Sequence, residues 1–350
     1  MNLISKLRSF AHRWHETPTL AFTHFQPAQL TTVGKRACLW LYDLVLDYHD
    51  LLAQEQRLAL LGVKGATGTQ ASFLKLFDGD TDKVERLDEM VSQRMGFEST
   101  VPVSGQTYTR KIDSGIVNAL AGFGQSASKF AYDLRLLQHM KEIEEPFESA
   151  QVGSSAMAYK RNPMRAERID ALARHLIVLM LDPALTAATQ WFERTLDDSA
   201  NRRIAIPEAF LATDSILMIY DNIVSGFVVH QNVIAENVRR EIPAMATENI
   251  LMQGVARGGD RQVLHERIRI HAKAFADALK AGARTDDLLD RILADEAFGL
   301  DRPTLDAIVD PKEFVGLAPR QTLRFLENHV DPILESEKDL ISDAVGEVRV

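Results

Sequence analysis

Apolar residues recur at every third or fourth position through long, proline-free stretches of this chain. From Lys35 to about Leu61 the series is Leu39, Tyr42, Leu46 and Leu52; from Ile112 to Met140 it is Ile116, Leu120, Phe123, Ala127, Phe130, Leu134 and Leu137. Met164–Leu181, Ala184–Ile206 and Ala209–Val229 carry the same period. Alternation with a period of two, bounded by turn residues, is scarce. The small residues of Ala119–Ala127 suit close helix–helix contact, although Gly122 and Gly124 lower helix propensity. The pattern predicts an all-α protein built as a bundle of long helices.

Polar, glycine-rich connections separate these helices at Gly62–Gln70, Ser99–Thr109, Glu144–Asn162 and Asp197–Asn201. In a bundle the helices set positions and the loops carry chemistry. A boundary near Val229–Gln231 divides a bundle domain, residues 1–229, from a smaller helical C-terminal domain, residues 230–350. Beyond it helices look shorter and turn signals denser, as at Gly258-Gly259-Asp260 and Asp310-Pro311.

The 350 residues, 46% hydrophobic and 25% charged, suffice for two domains with a sizeable core. A net charge of −9 argues against nucleic acid as a partner, because affinity for a phosphate backbone needs clustered positive charge. A small anionic substrate needs only a local group of Arg and Lys. The single cysteine, Cys38, lies in predicted buried helix and can form neither an internal disulfide framework nor a cysteine zinc site. No run approaches the roughly 18 consecutive apolar residues of a membrane span, and Met1–Arg8 is too short for a signal peptide. The expectation is a cytoplasmic protein without a membrane partner.

Four segments carry candidate chemistry. In Gly153–Pro163, glycine and serines form a loop that leads into Asn162-Pro163, a helix start with Asn at the cap and Pro at the first helical position. Free amide N–H groups, the positive end of the helix dipole, Lys160 and Arg161 then make an anion site, where Ser154 could act as a base; the plainer reading is a surface loop before a capped helix. In Thr23–Gln29, His24 is a candidate acid or base, or only a histidine hydrogen-bonded in a turn. In Gln190–Arg203, Arg194, Arg202, Arg203 and Ser199 could bind phosphate or carboxylate, unless Glu193, Asp197 and Asp198 neutralise them. Gly62–Gln70 resembles a phosphate cradle but lacks the P-loop spacing. Ser104–Tyr108 offers an amide, at Gln106, and hydroxyls. The short acidic run Glu142, Glu144 and Glu145 is expected to be solvated.

Taken together, these segments resemble the fumarase/aspartase superfamily, whose signature Gly153-Ser154-x-x-Met157-x-x-Lys160-x-Asn162 matches. Within it, Thr23–Gln29, Gly105–Lys111, Lys160–Pro163 and Trp191–Arg203 resemble the adenylosuccinate lyase family, in its animal-like branch, from about residue 17 to the C-terminus. The resemblance implies elimination of fumarate from adenylosuccinate, giving AMP, and from the succinylated carboxamide ribotide SAICAR, giving AICAR, without metal or organic cofactor. It implies Ser154 as the base, His24 as the acid, and Lys160 and Asn162 as holders of the substrate carboxylates. Thr23 and Gln106 would position the succinyl part; Arg168, Arg194, Ser199 and Arg203 would bind the nucleotide. It further implies a homotetramer with sites shared between subunits, and the absence here of the family's usual N-terminal domain, since no positions match that domain's residues. Ala158 departs from the proline common in the signature loop. An argininosuccinate lyase-like enzyme and a catalytically inactive truncated subunit stay open as alternatives.

Overall fold

A computed structural model of the chain describes residues 1–147, 157, 159–282 and 287–342. In chain order the first elements are α1 (Asn2–Arg13), β1 (Pro18–Thr23), β2 (Gln26–Thr32), α2 (Val33–Gln56), α3 (Ala71–Leu76), α4 (Thr81–Arg94) and α5 (Lys111–His139). Then come β3 (Ile143–Glu144), α6 (Met164–Leu179), α7 (Leu181–Thr189), α8 (Asp198–Ser225) and β4 (Val228–Val229). The protein is predominantly helical, as the periodicity predicts.

Side-chain pairings give the helix directions. Trp40 Nε1 donates to Asp133 at 2.7 Å and Lys129 pairs with Asp43 at 2.6 Å, so α2 runs antiparallel to α5. Arg135 and Ser128 both bind Asp170, at 2.7 and 2.9 Å, Gly124 lies against Leu176, and Gln138 donates to the Arg161 carbonyl at 3.0 Å, so α6 is antiparallel to α5 as well. Arg110, just before α5, meets Asp198 at the start of α8, which makes those two parallel. The shared core holds Trp40, Leu41, Phe130, Leu134, Ile169, Ile216 and Tyr220. Phe130 stacks on Tyr220 with ring centroids 3.8 Å apart, and Trp40 meets Phe130 edge-on.

Three features depart from the sequence expectations. The helix expected over Ala184–Ile206 is interrupted: α7 ends at Thr189 and α8 begins at Asp198. Second, β1 and β2 form an antiparallel hairpin that the scarcity of alternation concealed. Only Leu20 and Leu30 on it are buried apolar residues, against Val238 and Ile242. Third, Leu39, Tyr42 and Leu46, which mark the period of α2, point outward, while Ala37, Cys38, Trp40, Leu41, Leu44 and Val45 fill the core. The helix is apolar on two faces.

The C-terminal part contains α9 (Gln231–Met245), α10 (Thr247–Ala256), α11 (Arg261–Lys280), α12 (Asp287–Ala294), α13 (Arg302–Ile308), α14 (Ala318–Phe325) and α15 (Asp331–Ser336). Ile250, Leu264, Leu288, Ile292, Phe298 and Leu305 build a second core from α10 to α13. The chain then returns to the bundle: Leu326, Val330 and Ile333 join the first core, and Arg8 clasps Asp331 at 2.8 and 2.9 Å.

Candidate active site

The hairpin sets the place of His24. Its two-residue turn is His24-Phe25, both with positive φ, 52° and 59°. Such turns match the twist of paired strands but favour Asn and Gly. A histidine and a phenylalanine held there store backbone strain, which the flanking pairing must overcome. Thr23, His24 and Phe25 are all exposed. At its base the hairpin is tied down: Thr19 donates to Glu142 at 3.4 Å, and Arg36 donates to the carbonyl of Leu20.

Glu142 and Glu145 overturn the expectation of a solvated acidic run. They are 1% and 4% exposed. Glu142 accepts from Asn237 on α9 at 2.9 Å, while Glu144 pairs with Arg161 at 3.3 Å. Glu145 accepts the backbone amides of Arg165 and Ala166, at 3.1 and 3.0 Å. Burial raises the pKa of its carboxyl, and the two amides offset part of that rise. Here the anion site expected at the start of α6 is corrected. The helix begins at Met164, not Pro163, and two of its first-turn amides already hold an internal carboxylate. Lys160 is exposed and Asn162 half-buried beside this cap. Ser154, the candidate base, lies outside the described residues, as does Ala158. Arg168 projects from the second turn of α6 into solvent.

At the other end of α5 a second group assembles. Gln106 donates its backbone N–H to the carbonyl of Glu193 at 2.9 Å. Gly105 makes that approach possible, since a Cβ there would stand 2.6 Å from Glu193 Cα. Behind it, Gly68 packs so closely on the Ser104 carbonyl that no side chain fits, so the Gly62–Gln70 loop supports the Gln106 loop rather than cradling a phosphate. Asp198 accepts from Arg110 at 2.5 Å and from Arg194 at 3.0 Å. Burial alone would raise the pKa of Asp198; the two guanidiniums outweigh it and hold the carboxyl below its usual range. Arg202 binds Asp113 at 2.6 Å and the Tyr108 hydroxyl at 2.6 Å. Arg203 reaches only Ser199, with 2.6 Å to its hydroxyl, and has no carboxylate partner among the described residues. Neutralisation therefore covers part of the segment: Asp198 takes Arg194 and Asp113 takes Arg202, while Arg203 has no carboxylate partner among the described residues. Of the residues that organise this end, Asp198 could be found from its i,i+4 spacing to Arg194. Gln190, Arg110 and Tyr108 carry no comparable local signal.

A single chain does not bring the described candidates together. Lys160, Asn162 and Arg168 stand at the C-terminal end of α5, where the hairpin carrying Thr23 and His24 is also rooted. Gln106, Arg194, Ser199 and Arg203 stand at its N-terminal end. The helix has 29 residues, so at about 1.5 Å per residue the groups are roughly 40 Å apart. Among the described residues no cluster of three or more His, Cys, Asp or Glu side chains could hold a metal ion.

The fold is that of a lyase. Over 94% of this chain and 70% of theirs, it superposes on 3-carboxy-cis,cis-muconate lactonizing enzyme from Pseudomonas putida with a TM-score of 0.78 at 21% identity. Fumarate lyase from Mesorhizobium sp. BNC1 gives 0.75 at 21% identity, over 93% and 71% of the two chains. Residues 1–177 match the family described as Lyase, and residues 243–325 that described as Adenylosuccinate lyase C-terminus. The adenylosuccinate lyase of Saccharomyces cerevisiae is 49% identical over 98% of this chain and 71% of its own length. That of Schistosoma mansoni is 44% identical over 92% and 68%. The chain belongs to the adenylosuccinate lyase family.

Proposed function

We propose that the protein eliminates fumarate from adenylosuccinate to give AMP, and from SAICAR to give AICAR, in purine nucleotide biosynthesis in the cytoplasm. The observation that carries this reading is the likeness to adenylosuccinate lyases along nearly the whole chain, at up to 49% identity. Ser154 removes a proton from the carbon next to a substrate carboxylate. The electron pair spreads onto that carboxylate, where Lys160 and Asn162 stabilise the developing charge; fixed positive charge at that point supplies much of the rate enhancement. The carbon–nitrogen bond breaks as His24 protonates the departing nitrogen. Thr23 and Gln106 position the succinyl part, and Arg168, Arg194, Ser199 and Arg203 hold the nucleotide, with arginine suited to bidentate phosphate contact.

The working unit in this reading is a homotetramer whose sites are shared between subunits. Two observations support it. The candidate groups stand at opposite ends of a long helix, so an antiparallel neighbour sets one end beside the other. The outer faces of the bundle are also apolar: Leu39, Tyr42 and Leu46 on α2 and Phe210, Leu211 and Leu217 on α8 are exposed. Met164–Thr189 is long and apolar enough by composition to cross a membrane, with 22% of its apolar window buried. Yet its inner residues Ile169, Ala173 and Leu176 sit in the bundle core, so the outer face suits another protein helix better than lipid. The test is release of AMP and fumarate from adenylosuccinate by the purified protein, with argininosuccinate as the competing substrate. Cleavage of argininosuccinate alone would overturn the assignment.

A further inference from the structure

The Gln106 loop and the Arg194–Arg203 segment are 88 residues apart at Arg110 and Asp198, yet they are joined by a partly buried polar seam. Asp198 is 2% exposed and is shared by Arg110 and Arg194. Gln190 uses both ends of its amide. Its oxygen accepts the Arg110 backbone N–H at 2.8 Å, and its nitrogen donates to the Tyr108 carbonyl at 3.1 Å and the Thr107 hydroxyl at 3.3 Å. Each residue thus fixes a different neighbour. Asp198 fixes the orientation of a guanidinium on its own segment. Gln190 fixes the course of the opposite loop immediately after Gln106.

We propose that Asp198 and Gln190 are separate positioning residues for the two halves of the substrate. Asp198 holds Arg194 so that its remaining N–H groups face the nucleotide phosphate, and Gln190 holds the loop that presents Gln106 to the succinyl part. The inference rests on the roles given above to Arg194 and Gln106. Its physical basis is that a binding group gains affinity when its rotamer is fixed before the ligand arrives. Neither residue touches substrate in this scheme.

The experiment measures equilibrium affinities for AMP and for fumarate by calorimetry on the wild type, Asp198→Asn, Gln190→Leu, Arg194→Ala and Asp198→Asn/Arg194→Ala. Asp198→Asn is expected to weaken AMP by about tenfold and leave fumarate within about twofold; Gln190→Leu is expected to do the reverse. In the Arg194→Ala background, Asp198→Asn should cost AMP affinity little more, because the group it orients is gone. A general loss of packing would instead move both affinities together in both variants, and that pattern overturns the proposal. So does an Asp198→Asn effect that multiplies unchanged onto Arg194→Ala. If Asp198→Asn does not fold, the Gln190→Leu pattern decides alone. If Arg194→Ala leaves AMP affinity intact, the nucleotide role of Arg194 falls first, which separates failure of the functional reading from failure of this inference.

Discussion

The two ends of α5 treat charge in opposite ways. At the C-terminal end the anion is internal: Glu145 occupies the first-turn amides of α6, Glu142 ties down the hairpin and α9, and Glu144 takes Arg161. At the N-terminal end Arg110 and Arg194 share the buried Asp198 and Arg202 takes the buried Asp113, while Arg203 reaches Ser199 and no carboxylate among the described residues. The difference teaches how to read a helix start. Free amides and nearby cations do not make an anion site when a carboxylate twenty residues away in sequence folds back onto them. In an arginine cluster among acids, each guanidinium has to be followed to its own partner before the cluster is read as neutralised.

The largest expected effect is at the proposed base, Ser154. Ser154→Ala should abolish turnover while leaving substrate affinity largely intact. Activity surviving within roughly tenfold, about 1.4 kcal/mol of barrier, would falsify the assignment. Next in size is an effect of mixing. At substrate well below KM, Lys160→Ala and Arg203→Ala chains should each be strongly impaired; co-refolded, they should recover about a quarter of the wild-type rate, because random assembly places both intact ends in that share of the sites. No recovery in mixed oligomers would mean that one chain supplies both ends of its own site.

The N-terminal end is sharpened by Arg203. Among the described residues its only partner is Ser199, so Arg203→Ala should raise KM for adenylosuccinate by about ten- to a hundredfold with little change in folding stability, the loss of a charge-assisted phosphate contact of ~1–3 kcal/mol. A drop in kcat at constant KM would move the residue from binding to chemistry. At the opposite end Glu145→Ala tests the cap. It strands two buried amides beside the buried Arg165 and should cost about 1–3 kcal/mol of stability, read as a lower Tm. An unchanged Tm would mean that those amides are free for an external anion after all.

What the sequence made legible follows the range of the interactions. The helices of the bundle were legible because burial repeats every three to four residues, and the signature segment was legible because its residues are contiguous. The hairpin was missed since only Leu20 and Leu30 mark it, and its turn has His24-Phe25 in place of Asn-Gly. The outward stripe Leu39, Tyr42, Leu46 was read correctly as helical, but period alone does not say which apolar face of a two-faced helix fills the chain's own core. The contacts of Glu145 and Gln190 were invisible because their partners lie 20 and about 80 residues away, and no local pattern records such a contact. The separation of the candidate residues into two ends was equally hidden. It depends on the directions of α5, α6 and α8, which the loops decide.

Between the two ends, Asp47 offers the mildest test of how this bundle places charge. It lies on α2 facing α5, 8% exposed, and its Oδ2 has no hydrogen-bond partner. Burial raises its pKa to about 6; the Ser126 hydroxyl opposes that rise, and Asp43 and Asp50 add to it. Asp43 is itself paired with Lys129 from α5. The direction of the pH effect follows from linkage. A carboxyl whose folded pKa lies above its unfolded value keeps its proton longer in the folded state, so the unfolded state binds fewer protons across the window and stability falls as pH rises from about 4 to about 6. The penalty is complete above that window and absent below it. Asp47→Asn removes the ionisation while keeping the shape. It should therefore raise Tm at pH 7.5 by a few degrees, with the gain shrinking through pH 6 and vanishing near pH 4. The measurement is the difference in Tm between variant and wild type at matched ionic strength. A gain that stays constant with pH would assign the effect to packing, and a loss at pH 7.5 would mean that the ionised carboxylate has a partner that stabilises it.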